Sequence, residues 1–106
     1  MVKQDFYSDI AGGLVVAARW KVAPGNGDRI VAILREFLPQ AQAEPGVKVF
    51  QIARDKADPD QYLFWEVFAD EAAFQAHSDS AHFKDLILGK ALPLLADRQR
   101  SQYSLI

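Results

Sequence analysis

Residues 61–68, QYLFWEVF, are the strongest strand signal in the chain, because aromatic and aliphatic residues fill nearly every position. Side chains of a strand alternate between two faces. One face carries Tyr62, Phe64, Glu66 and Phe68, and the other carries Leu63, Trp65 and Val67. Both faces are largely apolar, so this strand is expected to lie in a sheet that is covered on both sides.

The segments on either side of this strand predict a regular order of strands and helices. Residues 14–22 and 47–54 read as strands, and a polar turn at 55–60 joins the second to residues 61–68. Apolar positions recur at helical spacing from 28 to 38. Further helices are predicted from Glu71 and from Ala81 to about Leu95, and a last strand over 99–106. This β-α-β-β-α-β order predicts an α+β, ferredoxin-like domain with a four-stranded antiparallel sheet, spanning residues 14–106 after an N-terminal arm of residues 1–13.

Two helices can cover only one face of such a sheet. The other face would leave Leu63, Trp65 and Val67 in water, and an exposed apolar patch of this kind usually marks an interface. We therefore expect a two-fold homodimer in which two sheets pack face to face. The alternative is that residues 1–13 fold over this face.

The composition of the chain argues against several classes of function. The chain has 106 residues, a net charge of -2 and no cysteine, which argues against nucleic-acid partners and excludes disulfides and thiol chemistry. The N-terminus lacks the apolar core of a signal peptide, and no run approaches a membrane span of about 20 apolar residues. A cytoplasmic location without membrane partners is the expectation.

Residues 44–84 carry a more specific pattern. It comprises Glu44-Pro45-Gly46, the strand 61–68, Ala73-Phe74-Gln75-Ala76-His77 and Ser80-Ala81-His82-Phe83. This set resembles the antibiotic biosynthesis monooxygenase family, in its quinol-monooxygenase-like branch, whose members share an E-x-G turn, an aromatic strand ending near Glu, A-F-x-x-H and S-x-H-[FY]. The resemblance implies a dimeric α/β barrel with one cavity per subunit. It also implies oxidation of phenols or quinols by O₂ without metal or flavin, as in several relatives. Haem-degrading relatives have a ligating histidine where this chain has Ile87, so no haem is expected.

Two residues are candidates for catalysis. His82 falls at the start of a predicted helix, where the helix dipole favours a neutral imidazole that can accept a proton from a phenol or enol. Glu66 is the lone acid on the aromatic face of strand 61–68, so it needs a partner or its pKa rises. His82 is expected to be that partner. A capping role for His82 and a purely structural hydrogen bond for Glu66 remain open.

The remaining candidate site residues are inferred from the strand face or the helix position that each one occupies. Substrate contacts are predicted for Trp20, Phe64, Phe68, His77 and Phe83. A break at residues 78–80 could bring His77 and His82 together, but a metal site would need carboxylates from elsewhere, so no metal is predicted. Arg19 and Arg98 could hold an anionic group, although a solvated surface position is the simpler interpretation for both.

The pattern leaves three hypotheses for function. The first is a cofactor-independent monooxygenase that oxidises a small electron-rich aromatic, a quinol or phenol, with O₂. The second is a non-oxidative isomerase acting on a small metabolite in the same cavity. The third is a small-molecule binding protein without turnover.

Overall fold

A computed structural model describes residues 10–106 of the chain. Strand β1 comprises Leu14–Val22, helix α1 Gly27–Gln42, strand β2 Val47–Arg54, strand β3 Gln61–Phe68 and helix α2 Glu71–Asp79. A π-helix, Phe83–Ala91, and a 3₁₀ turn, Leu92–Leu94, lead into strand β4, Leu95–Ser104. Most of the predicted N-terminal arm lies outside the described residues.

The four strands form one sheet in the order β2-β3-β1-β4, and all neighbours are antiparallel. Paired residues in such a ladder point to the same face. Across the sheet, Glu66 on β3 therefore shares a face with Phe50 on β2 and Val16 on β1. The predicted ferredoxin-like α+β domain is confirmed.

The helices cover the face of the sheet that carries Phe64 and Phe68. Helix α1 buries Ile30, Leu34 and Phe37 on its sheet-facing side, where they join the aromatic side chains of β3 in the main core. Burying a side chain of this size contributes roughly 1.5–3 kcal/mol. Asp70 starts α2, since its carboxylate accepts a hydrogen bond from the Ala73 N–H at 2.9 Å, as the sequence predicts.

The segment after α2 corrects two predicted boundaries. The sequence predicts one helix from Ala81 to about Leu95 and a strand over 99–106, whereas a π-helix and a 3₁₀ turn fill residues 83–94 and β4 begins at Leu95. The Leu92 N–H donates to the Ile87 carbonyl, five residues back, so the helix is wider than an α-helix. Pro93 has no N–H to continue this ladder, and the chain turns into β4 about four residues earlier than predicted.

The outer face of the sheet is only partly exposed. Leu63 and Trp65 are 41% and 40% exposed, as predicted, but Val67 is 1% exposed and the prediction for that residue is wrong. Gly13 lies so close that a β-carbon there would be 3.2 Å from Val67 Cγ1, so the chain segment before β1 shields the valine. Among the described residues, no helix is long and apolar enough to cross a membrane.

Candidate active site

Gly46 brings the turn between α1 and β2 into direct contact with α2. A β-carbon on Gly46 would lie 2.3 Å from the Ala73 β-carbon, so only glycine allows this approach. The Val47 N–H donates to the Glu44 carbonyl at 3.1 Å and the Ala69 N–H to the Gly46 carbonyl at 2.9 Å, which fixes the turn. The Glu44 side chain is thereby held beside α2.

Ser80 ends α2 and begins the next helix. Its N–H and its hydroxyl both donate to the His77 carbonyl, at 3.2 Å and 2.7 Å, and its hydroxyl oxygen accepts from the Phe83 N–H at 3.2 Å. The chain therefore changes direction between His77 and His82. The two ring centroids lie 6.4 Å apart, so the break does bring the histidines together.

Both histidines bind the same carboxylate oxygen. His77 Nδ1 and His82 Nε2 each lie 2.7 Å from Glu44 Oε2. An ionised carboxylate only accepts hydrogen bonds, so each of these ring nitrogens carries a proton and donates. In the neutral rings, the free nitrogens are then Nε2 of His77 and Nδ1 of His82.

The predicted pair of His82 with Glu66 is therefore wrong. The partner of His82 is instead Glu44, which the contact between Gly46 and Ala73 holds beside α2. Within residues 10–106, no group donates a hydrogen bond to the Glu66 carboxyl. The two predicted catalytic side chains belong to separate parts of the site.

His77 is buried in an aromatic cage. The residue is 2% exposed, and its ring centroid lies 5.2–5.9 Å from the rings of Phe37, Phe50, Phe68 and Phe83. Burial lowers the pKa of His77 below its ordinary value of 6.5, and His82 adds to this effect, while the Glu44 carboxylate opposes it. His77 is thus a neutral imidazole near neutral pH.

A cavity lies between the inner face of the sheet and the helices. Five predicted site residues line it: Trp20, Phe64, Glu66, His77 and Phe83. His82 and Phe68 are not among its lining residues; Phe68 is fully buried against His77 and Phe74. The free volume at its centre is about 20 Å³, which is room for about one water molecule. An aromatic ligand can enter only if lining side chains move apart.

Glu66 is the acidic residue that lines this cavity, and it is 7% exposed. Burial raises the pKa of Glu66 to about 8, because the charged form loses its hydration, and Arg100 and Arg98 offset this only in part. At neutral pH the side chain is therefore a carboxylic acid that can donate a hydrogen bond.

Two arginines of β4 line the same cavity. In the sheet, Arg98 pairs with Trp20 and Arg100 with Ala18, so both share the inner face. The Nε atom of Arg98 is fully buried and has no hydrogen-bond partner in the described chain. Arg19, the other arginine considered from the sequence, lines a hollow on the outer face instead.

The cluster of Glu44, His77 and His82 could also hold a metal ion. One ligand atom from each residue lies within 4.8 Å of the others, and two histidines with one carboxylate are a common set for zinc or non-haem iron. Glu44 supplies the carboxylate that such a site needs in addition to the two histidines. The two hydrogen bonds already pair Glu44 Oε2 with the ring nitrogens of His77 and His82, so the geometry does not require an ion.

Sequence reasoning missed Glu44 and undervalued Arg98 as site residues. The signal for Glu44 was present, since the E-x-G turn stands in the same motif set as both histidines. Arg98 fell outside the predicted last strand, which hid the alternation that points it inward.

Similarity to known proteins agrees with this architecture. The chain is 27% identical over 74 residues to the uncharacterized protein sll1783 of Synechocystis, and the match covers 70% of this chain and about half the length of that relative. The crystal structure of PA3566 from Pseudomonas aeruginosa superposes with a TM-score of 0.82 at 23% identity, covering 92% of this chain and 97% of that one.

A third similar protein is the putative antibiotic biosynthesis monooxygenase from Bacteroides thetaiotaomicron. It has a TM-score of 0.80 at 27% identity, with 87% of this chain and 88% of that chain covered. The family model described as antibiotic biosynthesis monooxygenase matches residues 13–87, which include Glu44, Gly46, both histidines and Glu66. The chain therefore belongs to the antibiotic biosynthesis monooxygenase family.

Proposed function

We propose that this protein is a cofactor-independent monooxygenase that oxidises a small electron-rich aromatic, a quinol or phenol, with O₂. The observation that carries the proposal is a buried, neutral His77 that lines an aromatic cavity while Glu44 holds its Nδ1–H. A carboxylate that fixes the tautomer and orientation of an imidazole is a recurring way to prepare a general base. Membership in the family supports the oxidative form of this chemistry.

His77 takes the role of base in this proposal, rather than His82. Its Nδ1 donates to Glu44, so its Nε2 is the nitrogen that accepts the proton of a substrate hydroxyl. The Glu44 carboxylate then stabilises the imidazolium that forms. His82 donates to the same oxygen from outside the cavity lining, and so acts as a positioning residue.

The phenolate that results is a much better electron donor than the phenol. One electron passes to O₂, and the phenoxyl radical and superoxide combine at a ring carbon that bears hydrogen, para to the oxygen in a phenol and ortho to it in a quinol, to form a hydroperoxide. Loss of water then gives the quinone. In total, a phenol and one O₂ yield a quinone and one water, and a quinol and one O₂ yield a hydroxyquinone and one water, so the substrate supplies all four electrons and no external reductant is needed.

The remaining cavity residues orient the ring and exclude water. Trp20, Phe64 and Phe83 would contact the aromatic faces, and the neutral Glu66 would donate a hydrogen bond to a substrate oxygen. Phe68 would act indirectly, through its contact with His77. A dry site also limits the escape of superoxide into water.

Oxygen uptake with a panel of quinols and phenols tests the proposal. We expect uptake above autoxidation, and one atom of ¹⁸O from ¹⁸O₂ in the product. His77→Asn keeps an amide N–H near the position of Nδ1, the atom that donates to Glu44, but has no titratable nitrogen, so turnover should fall by about 10²–10⁴-fold. Gln75→Ala, an exposed change on the same helix, is the matched control. Uptake no faster than autoxidation across the panel would refute the proposal, and product formation under nitrogen would favour an isomerase.

We also propose that two copies pack through the outer face of the sheet. Leu63, Trp65 and Tyr103 are exposed there, at 41%, 40% and 56%, around a shared hollow. Large apolar side chains grouped on one face are typical of an interface. A two-fold arrangement would bury this face in both copies and leave both inner cavities intact.

A further inference from the structure

Arg98 presents an unused hydrogen-bond donor at the inner cavity. Its Nε is fully buried without a partner among the described residues, although a buried polar atom is nearly always paired in a folded protein. Within residues 10–106, no carboxylate oxygen lies within 4.0 Å of the guanidinium nitrogens of Arg98 or Arg100. The missing partner is therefore an acceptor that the described chain does not supply.

The charge of the cavity points to an anion. Arg98 and Arg100 bring two positive charges, and Glu66, the acid lining the cavity with them, is mainly protonated at neutral pH. The Glu44 carboxylate is engaged by both histidines. The arginine end is thus electropositive, and a neutral ligand would leave its charge uncompensated.

Small side chains form the floor of this end of the cavity. Arg100 lies beside Ala18 on β1, and the next inward residue of β1 toward Glu66 is Val16, so small side chains floor the space between Glu66 and the arginines. Neighbouring strands are about 4.8 Å apart, so β3 and β4 are separated by roughly twice that distance. Arg100 is exposed and lines the cavity, so this end of the cavity lies next to solvent at the edge strand.

We propose that Arg98 and Arg100 form a carboxylate subsite, so that the substrate is a phenol or quinol bearing a carboxylate. The aromatic part of this assignment rests on the proposed function, while the carboxylate part rests on the arginines. The ring would lie against Trp20 and Phe64, with its carboxylate at the β4 edge and its hydroxyl toward His77. Arginine binds carboxylates through paired N–H donors, which suits the unpaired Nε of an arginine that lines the cavity.

Two ligands of nearly equal shape provide the test. Gentisate is a hydroquinone with a carboxylate, and 2,5-dihydroxybenzamide replaces that group by a neutral amide. Binding would be measured by calorimetry under nitrogen, so that no turnover is required. We expect the wild-type protein to bind gentisate about 10- to 100-fold more tightly than the amide, the range for hydrogen bonds to a charged group.

Variants locate the preference within the chain. Arg98→Gln should remove most of the discrimination between the two ligands, and Arg98→Lys, which keeps the charge but loses Nε, should retain only part of it. Arg29→Gln, an exposed change on α1, should leave the discrimination intact. Circular dichroism would show whether each variant is folded. If Arg98→Gln does not fold, Arg98→Lys provides the test of the carboxylate subsite.

The outcomes separate this inference from the proposed function. Equal affinity for the two ligands, no measurable gentisate binding, or a preference unchanged in Arg98→Gln would overturn the carboxylate subsite, even if quinols are oxidised. A gentisate preference that depends on Arg98 would establish the subsite, even if no oxygen is consumed.

Discussion

Glu66→Gln should stabilise the protein by an amount that grows with pH. Burial raises the pKa of Glu66 to about 8 from an ordinary value of 4.5, so between these pH values the unfolded chain releases a proton that the folded chain keeps. A group whose pKa is raised on folding contributes its full stability below the unfolded pKa and loses it as pH rises toward the folded pKa. Each pH unit in this window is worth about 1.36 kcal/mol, so the loss in wild type approaches about 3 kcal/mol at pH 7.

Glutamine has nearly the same shape as protonated glutamate and no proton to lose. The two proteins share every other titratable group, so the difference between their free energies of unfolding isolates Glu66. That difference should increase by about 3 kcal/mol between about pH 5 and pH 7.5. Any constant effect of the amide on hydrogen bonding would shift the whole curve without changing its slope.

Urea denaturation over this pH range, at one fixed protein concentration, measures the effect. Glu36→Gln, an exposed change on α1, is the matched control and should show a flat difference. A flat difference for Glu66→Gln as well would mean that Glu66 titrates at its ordinary pKa in the folded protein. The neutral acid assigned to the cavity would then be wrong.

Four further outcomes are expected. Gly46→Ala should cost about 1–3 kcal/mol of unfolding free energy by overpacking against Ala73, whereas Gly27→Ala, which meets nothing within 4 Å, should not; urea denaturation would distinguish them. Trp65→Ala should weaken the proposed dimer while the exposed Leu88→Ala should not, and a wild-type monomer by light scattering at micromolar concentration would contradict the interface. Turnover should fall at acid pH with a midpoint below the ordinary imidazole pKa of 6.5, because burial lowers the pKa of His77 and protonated His77 cannot accept a proton, and an acid limb with its midpoint above 6.5 would contradict His77 as the base. Natively purified protein should be colourless and free of stoichiometric metal by elemental analysis, and bound metal that is lost in His77→Asn would instead assign the Glu44 cluster as a metal centre.

The strands were predictable from sequence because their signal is local. Alternation within residues 61–68 identified the inner and outer faces of β3 at every position, but not the burial of Val67, which depends on the segment at Gly13. The capping of α2 by Asp70 is equally local. By contrast, the π-helix after His82 depends on how the whole segment packs, and no spacing of apolar residues distinguishes it from an α-helix.

The site was less predictable because its contacts are distant in sequence. Glu44 and His77 are 33 residues apart, and they meet only because Gly46 and Ala73 pack without intervening atoms. From strand alternation alone, Glu66 on β3 was the better candidate for the partner of His82. Arg98 was misjudged for a related reason, because β4 begins at Leu95 and its pairing with β1 sets the inward face.

The lack of a partner for Glu66 in the described chain bears on what the cavity is for. A buried glutamate that only supported the fold would be expected to find a donor, or to be replaced by an apolar residue at lower cost. Glu66 instead lines one cavity with His77, the proposed base, and with the two arginines of β4. A substrate carboxylate at Arg98 would occupy the cations that now favour ionisation of Glu66, and would itself repel a second negative charge. Binding of such a ligand should therefore hold Glu66 in its protonated form to higher pH, so that its O–H stays available as a donor while His77 removes the substrate proton.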